Sequence, residues 1–270
     1  MKPFLLLATR DHDGAAVAEY RSVLRHAGLE EDQLVHVRVE AGPMPVINLD
    51  DYSGVLLGGS PFNISDEVKS ELQLRVENDI RQLLDQIVDE DRPFLGLCYG
   101  IGTVTAHLGG LVDRTYGEAV GAAAVTLTEA GHADPLLAGV PGVFGAFVGH
   151  KEACTTLPEG VELLATGVAC PTQMYRVGAN VYVTQFHPEL DVNDLEERMR
   201  IYQHAGYFHP DELDELVTMA RSSAVTGVHH LLPVALRQDR TSIAPWIVLI
   251  SFSGTFSHFC MTRALVYADA

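Results

Sequence analysis

The amino-acid sequence predicts an α/β protein with a doubly wound, mostly parallel sheet that is extended by antiparallel strands. In the first part of the chain, continuous apolar runs alternate with amphipathic segments, as in buried parallel strands joined by helices. After about residue 120 the pattern changes to short strands of alternating polarity. The chain has 270 residues, 47% of them hydrophobic, which is enough for a sizeable core.

Four apolar runs are expected to form the parallel strands, at 3–9, 34–40, 54–60 and 93–99. The helix after the first strand has an apolar face of Val17, Tyr20, Leu24 and Ala27. Gly28 can end this helix in the left-handed conformation. A longer helix is expected to begin after Ser65, with an apolar face from Val68 to Ile87. Another helix is expected to begin in the segment from 100 to 110.

Short strands of alternating polarity are expected later in the chain, at 124–129, 145–152, 161–167, 172–178 and 180–189. Two helices follow, and the second starts at Pro210, a residue favoured at the first helical position. After these two helices the apolar residues show no regular spacing. We therefore predict one main domain over 1–226 and an appended segment over 227–270 of unassigned structure.

Charge and cysteine usage exclude several classes of function. Asp and Glu number 36 against 18 Lys and Arg, a net charge of -18, which disfavours nucleic acids and anionic membranes as partners. The four cysteines are widely spaced, so neither a disulfide framework nor a zinc site is indicated. No apolar run approaches the ~20 residues of a spanning helix, and no signal-peptide pattern is present. We expect a soluble, cytoplasmic protein.

The pentapeptide Gly96-Leu97-Cys98-Tyr99-Gly100 lies between a predicted buried strand and a predicted helix. Its G-x-C-x-G spacing matches the nucleophile elbow, a tight turn that presents the central side chain above the sheet edge. The N–H groups at the start of the helix favour the thiolate form of Cys98. A buried structural cysteine between two glycines is the alternative interpretation of these five residues alone.

A second segment supplies a base and a carboxylate, because the last predicted strand ends in His187-Pro188-Glu189. Histidine is the usual base for a cysteine nucleophile, and a carboxylate behind it fixes the tautomer and stabilises the imidazolium. Such tripeptides also occur in surface turns. This one indicates a catalytic role only because the sequence also contains the predicted nucleophile elbow at Cys98. Together they predict a nucleophile, a base and an orienting acid.

This combination resembles the class I (triad) glutamine amidotransferases, whose elbow and late H-P-E carry a Cys–His–Glu triad. The resemblance covers about residues 40 to 190. It includes the glycine pair in "GVLLGGSPFNISD", and "GHKEACTTLPEGVELLATG" with "PTQMYRVGANVYVTQFHPE", which are similar to GMP-synthase-type domains. The resemblance implies a flavodoxin-like, doubly wound fold.

The resemblance also implies a mechanism. The thiolate of Cys98 attacks the side-chain amide of glutamine, His187 protonates the departing ammonia and then activates water, and Glu189 orients His187. The backbone N–H groups of Gly59 and Tyr99 are implied to stabilise the oxyanion. No metal or organic cofactor is required for this half-reaction.

Three further positions are candidates for substrate binding. Gly58 belongs to the glycine pair, and His150 stands where related domains also carry histidine, although a structural role fits it equally well. The family usually has glutamine four residues after the nucleophile, where this chain has Gly102, which offers no side-chain donor. Either other groups hold the substrate, or the substrate is not free glutamine, or the activity is low.

Three hypotheses of function follow. The first is a stand-alone glutaminase that releases ammonia for a separate, unidentified synthase, since the chain shows no Walker-type loop and no room for a synthase module. The second is a self-sufficient γ-glutamyl hydrolase or peptidase acting on γ-glutamyl amines, which Gly102 favours. The third is a non-catalytic regulatory relative, which the intact Cys98, His187 and Glu189 disfavour.

Other polar residues are expected to be structural. The loop 9–14 after the first strand contains Asp and His but is expected to be a solvated turn, not a metal site. Cys154 and Cys170 stand among strand residues and are expected to be core thiols. The histidine pair at 229–230 has no carboxylate at a useful spacing, so no metal role is assigned to it.

Overall fold

A computed structural model describes residues 2–225 and 228–236 of the chain. The strands are β1 (Phe4–Ala8), β2 (Leu34–Arg38), β3 (Val55–Leu57), β4 (Phe94–Leu97), β5 (Leu111–Asp113), β6 (Glu118–Leu127), β7 (Val143–His150), β8 (Ala153–Thr156), β9 (Glu162–Gly167), β10 (Met174–Val177) and β11 (Val181–Thr184). The α-helices are α1 (Asp13–Ala27), α2 (Glu71–Asp89), α3 (Tyr99–His107), α4 (Glu129–Ala133), α5 (Val192–Ile201), α6 (Leu213–Ser222) and α7 (Leu231–Ala235).

Nine of the strands form one mixed sheet in the order β2-β1-β3-β4-β11-β10-β9-β6-β7. The first five strands of this order are parallel to one another, and β10, β9, β6 and β7 extend the sheet in antiparallel fashion from β11. The predicted fold class is confirmed. β11 runs parallel to β4, with Thr184 opposite Leu97, so the segments that follow these two strands leave the same edge of the sheet.

Helix α1 ends as predicted, because Gly28 adopts the left-handed conformation with φ 66°. The predicted apolar face is wrong at Val17, whose side chain is 52% exposed. The inward face instead includes Glu19, which is fully buried, together with Val23. A charged residue takes an interior position here because a buried arginine pairs with it, as described below.

Helix α2 begins later than predicted. Ser70 caps it, its hydroxyl accepting from the N–H of Gln73 at 3.1 Å, and Val68 before it is 90% exposed. Ser65 is not the cap, because its N–H donates to Glu152 Oε2 at 2.8 Å in the turn between β7 and β8. That long-range bond holds the segment in a non-helical conformation. Leu72, which the sequence also placed on the apolar face, is 38% exposed, and the other five residues of that face are buried: Val76, Ile80, Leu83, Leu84 and Ile87.

Apolar clusters cover both faces of the sheet. Part of the predicted appended segment joins one of them, since Val228, Leu231 and Leu232 are buried in the cluster that contains Phe4 and Leu6 of β1. The rest of that segment, including Cys260, lies outside the described residues, and the predicted domain division stays a prediction. None of the helices in the described ranges has the length and apolar character that crossing a membrane requires.

Candidate active site

Cys98 occupies the tight turn between β4 and α3. Its backbone has φ 53° and ψ −86°, a region that side chains rarely adopt, and its N–H donates to the carbonyl of Thr184 at 2.8 Å. A methyl group at Gly96 would lie 3.0 Å from the backbone of Gly100, so the strand and the helix approach too closely for a larger residue. This is the geometry expected of a nucleophile elbow.

His187 and Glu189 follow β11 and lie at the same sheet edge. The Nδ1–H of His187 donates to Glu189 Oε1 at 2.7 Å, and both residues are buried. The His187 ring and Cys98 line the same pocket, and the charge of Cys98 acts on the ring. The structure therefore brings the three predicted catalytic side chains together in the order sulfur, ring and carboxylate.

Charges control the protonation of this pair. Burial by itself would lower the pKa of His187, but the charges of Glu189 and Cys98 outweigh it and raise that pKa to about 9. Burial opposes ionisation of Glu189, but His187 and Arg198 lower its pKa to about 2. At neutral pH the pair is therefore a buried imidazolium and carboxylate.

Arg198 of α5 is a third partner of the pair, and the sequence reasoning did not find it. Its Nη1 lies 3.2 Å from Glu189 Oε1 and 3.2 Å from His187 Nδ1. Its Nη2 lies 3.8 Å from Glu19 Oε1. An arginine in the middle of an amphipathic helix carries no local signal of this contact, because most such residues are solvated.

Glu19 and Arg10 continue the network of charges and were also missed by the sequence reasoning. The Nε–H of Arg10 donates to Glu19 Oε1 at 3.0 Å, and Glu19 is completely buried. The N–H of Gly59 donates to the same oxygen at 3.2 Å. In this structure the Gly59 amide is therefore engaged by Glu19, and its implied role as an oxyanion donor stays a prediction.

The other implied site residues have distinct environments. A methyl group at Gly58 would overlap the Glu19 carboxylate, so glycine is required there by packing. Tyr99 is the first residue of α3, where a helical N–H has no partner within the helix. A methyl group at Gly102 would lie 3.5 Å from Glu152 Oε1 and from Ile64, in ordinary contact.

His150 lines the pocket, but both of its ring nitrogens are already engaged. Nδ1 lies 2.9 Å from the carbonyl oxygen of Glu152, and Nε2 lies 3.0 Å from Glu118 Oε2. Gln173 Nε2 also donates to Glu118 Oε2, at 2.7 Å. These contacts favour a structural role for the ring beside the pocket.

Two groups of described residues bring three potential metal ligands within 4.8 Å of one another: Glu118, His150 and Cys170, and His26, Asp191 and Asp194. Burial raises the pKa of the Cys170 thiol to about 12, so the sulfur is protonated. The carboxylates of Asp191 and Asp194 already pair with Arg25. We assign a metal to neither group.

The prediction of a solvated turn at 9–14 holds for only part of that segment. Asp11 to Asp13 are exposed, and His12 caps α1 by accepting from the N–H of Gly14 at 3.1 Å, but Thr9 and Arg10 are buried. Cys154 and Cys170 are buried. His229 Nδ1 lies 2.8 Å from the carbonyl oxygen of Pro188, so it supports the backbone of the catalytic segment.

A pocket open to solvent lies beside Cys98 and His187. Three cationic side chains line it, those of Arg10, Lys151 and Arg198, and so does an aromatic group of Tyr202, Tyr207 and Phe208. The Lys151 ammonium lies 4.4 Å from the centre of the Tyr207 ring.

Residues 17–201 match the family model described as glutamine amidotransferase class-I. The chain belongs to the class I glutamine amidotransferase family. This glutamine amidotransferase domain is 29% identical to the GMP synthase [glutamine-hydrolyzing] of Porphyromonas gingivalis over 144 residues, which cover 53% of this chain and 26% of the relative. It is 26% identical to that of Marinobacter nauticus over 231 residues, covering 82% of this chain and 39% of the relative.

Solved structures share the fold of this chain. A glutamine amidotransferase from Thermotoga maritima superimposes with a TM-score of 0.71 at 20% identity, covering 87% of this chain and 97% of the other. One from Methylobacillus flagellatus gives a TM-score of 0.65 at 15% identity, covering 88% and 94%. The chain spans between a quarter and two fifths of the length of the GMP synthases named above, to which it is similar.

Proposed function

We propose that this protein hydrolyses the side-chain amide of glutamine through a γ-glutamyl thioester on Cys98. The observation that carries the proposal is that Cys98 and His187 line one pocket while Glu189 is hydrogen-bonded to the His187 ring. A nucleophile beside a base that a carboxylate orients is the arrangement that acyl transfer requires.

In the first step, the Cys98 sulfur forms a bond to the amide carbon, and the carbonyl π electrons move to oxygen. The intermediate collapses when His187 gives its proton to the nitrogen, the C–N bond breaks and ammonia leaves. In the second step, His187 takes a proton from water, whose oxygen attacks the thioester. The C–S bond then breaks and glutamate leaves. Glu189 holds the ring in the tautomer that serves both steps.

We further propose that the ammonia passes to a separate synthase. The relatives named above are glutamine-hydrolysing GMP synthases, and this chain aligns with only part of their length. A domain that matches part of such an enzyme can supply the same half-reaction to a partner protein. The acceptor that would use the ammonia is then a synthase that lacks its own glutaminase activity.

The second candidate is hydrolysis of γ-glutamyl amines or peptides without a partner. Gly102 supplies no side chain to hold free glutamine, and the aromatic side of the pocket, formed by Tyr202, Tyr207 and Phe208, offers apolar contacts to a substituent on the amide nitrogen. The substrate would then be recognised partly through its leaving group.

Parallel assays with the purified chain separate these candidates. Ammonia release from glutamine is compared with aniline release from γ-glutamyl anilide, in each case as kcat/KM. A higher value for glutamine supports the glutaminase, and a higher value for the anilide supports the γ-glutamyl hydrolase. Turnover of neither, together with a Cys98 that an alkylating γ-glutamyl analogue does not modify, would leave the regulatory relative and contradict both enzymatic proposals.

Restoring glutamine at position 102 is expected to improve the use of free glutamine. In Gly102→Gln the new amide gives the substrate a hydrogen-bonding partner, and the space around the position accepts a Cβ in ordinary contact. We expect KM for glutamine to fall by about tenfold, the equivalent of one hydrogen bond of ~1.4 kcal/mol. Steady-state kinetics with glutamine measure the change.

The matched control is Ala106→Gln, on the exposed face of the same helix α3, which should leave KM unchanged. Replacing glycine within a helix also stabilises it by ~0.5–1 kcal/mol, so thermal unfolding should show a gain for Gly102→Gln. An unchanged KM in a folded Gly102→Gln protein would show that substrate binding here does not depend on this position.

A further inference from the structure

His229 lies on a helical turn, Val228–His230, that follows the part of the chain matched by the family model, residues 17–201. The turn is fixed to the body of the protein, because Val228 and the first two residues of α7 are buried in the apolar cluster on one face of the sheet. The contacts of the His229 ring are therefore part of the packed structure.

The ring of His229 donates to the backbone of the catalytic segment. Its Nδ1 lies 2.8 Å from the carbonyl oxygen of Pro188, the residue between His187 and Glu189. A carbonyl oxygen only accepts hydrogen bonds, so Nδ1 carries the proton. Proline has no N–H, so this carbonyl is the only polar group of Pro188. The contact therefore restrains the peptide that leads from the catalytic base to its carboxylate.

Neighbouring backbone groups of the segment are held as well. The N–H of His187 donates to the carbonyl of Phe147 at 2.9 Å, and the hydroxyl of Ser22 on α1 donates to the carbonyl of Glu189. The contact with Pro188 lies between these two along the chain. Three elements, β7, α1 and the helical turn, therefore determine together how the segment lies. The 2.7 Å bond between His187 and Glu189 depends on that orientation.

The His229 ring is itself held in one orientation. It stacks on the ring of His26 of α1, with centroids 4.2 Å apart and an angle of 15° between the planes. His26 Nε2 lies 3.1 Å from Asp194 Oδ2 on α5, so the stacking partner is fixed in turn. Burial lowers the pKa of His229, so the ring is neutral at pH 7 and keeps its one proton on Nδ1.

We propose that His229 is a positioning residue that, through the carbonyl of Pro188, holds His187 and Glu189 in the geometry that amide hydrolysis requires. This inference rests on the proposed function. His229 transfers no proton and acts only through the backbone of the catalytic segment. A misplacement of ~1 Å in a catalytic group costs on the order of 10²-fold in rate. The rate of hydrolysis is thereby tied to a segment outside the family model.

Two substitutions separate the hydrogen bond from the packing of the ring. His229→Phe keeps a ring that can stack on His26 and removes the donor. His229→Asn removes the ring and keeps a side-chain N–H close to the position of Nδ1. For the γ-glutamyl amide that the wild type uses, we expect kcat to fall about tenfold in His229→Phe, the equivalent of one hydrogen bond. Most of that loss should be recovered in His229→Asn, and KM should change little in either variant.

Alkylation of Cys98 by iodoacetamide supplies a readout that needs no turnover. The charges of Cys98 and of the His187 ring act on each other, so displacement of the ring should slow the alkylation. The rate should therefore be lower in His229→Phe than in His229→Asn. A role confined to stability would instead shift the midpoint of thermal unfolding and leave both the alkylation rate and kcat of the folded protein unchanged.

The matched control is His230→Ala, the exposed neighbour on the same turn, which should behave as wild type in both measurements. If the larger phenylalanine ring prevents folding, His229→Ala takes its place, because alanine also lacks the donor. The comparison with His229→Asn is then between two variants that both lack the ring.

Wild-type kcat in folded His229→Phe would overturn the positioning role and leave the proposed function intact. An equal loss of kcat in His229→Phe and His229→Asn would also overturn it, because the ring and not its donor would then matter. Absence of turnover in the wild type would remove the proposed function. In that case a slower alkylation in His229→Phe would still support the positioning of His187, and equal rates would overturn it.

Discussion

Replacement of Cys98 by alanine is expected to abolish amide hydrolysis. Without sulfur no thioester can form, and the histidine alone has no nucleophile to activate, so we expect kcat to fall by at least ~10⁴-fold. The measurement is a coupled assay of ammonia release from glutamine by the purified variant. In parallel, mass spectrometry after treatment with iodoacetamide should show the loss of one modified site.

The chain offers a matched control in Cys154 of β8. This thiol is buried, and burial raises its pKa, so it should be unreactive. Cys154→Ala should keep the activity and the modified site, at a modest cost in stability. Substantial ammonia release by Cys98→Ala would show that the nucleophile lies elsewhere.

Replacement of Glu189 by glutamine is expected to have the second largest effect. The charge of Glu189 raises the pKa of His187, so removing that charge lowers it from about 9 toward or below its ordinary value of 6.5. His187 would then lose its proton near neutral pH, and the Arg198 guanidinium would remain beside it without the carboxylate that pairs with it. We expect kcat to fall by roughly 10²–10⁴-fold, because the ring loses its orientation and its counter-charge.

The pH profile separates this effect from simple misfolding. In the wild type the alkaline limb of kcat/KM should lie near pH 9, and in Glu189→Gln it should move to lower pH. Glu197→Gln, an exposed position on α5 that pairs with Arg21, should leave the profile unchanged. An alkaline limb near pH 9 in folded Glu189→Gln would contradict the contribution of this carboxylate.

The sequence predicted the parts of the site whose geometry depends on residues close together in the chain. The G-x-C-x-G turn is dictated by close contact between Gly96 and Gly100, and the His187–Glu189 pair lies two residues apart on one strand end. Both constraints involve neighbours in the chain. The apolar runs predicted a parallel sheet. In such a sheet the segments that follow neighbouring strands leave the same edge, so the turn at Cys98 and the His187–Glu189 pair were expected to lie together.

Long-range contacts decided the parts that the sequence did not predict. Glu19 and Arg198 stand on helices where charged residues are usually solvated, and only their contacts with Arg10 and Glu189 make them interior residues. The choice between Ser65 and Ser70 as helix cap likewise depends on a contact with the β7–β8 turn, far along the chain.

The charged groups around the catalytic ring do not balance. Three are positive, Arg10, Arg198 and His187, and two are negative, Glu19 and Glu189. Electroneutrality is reached only while the sulfur is an anion. Once the sulfur carries an acyl group, its contribution to the high proton affinity of His187 disappears. Glu189 then still raises the pKa of the imidazole that has just given its proton to ammonia, but the sulfur no longer does, so the ring recovers a proton less readily and can act as the base for water.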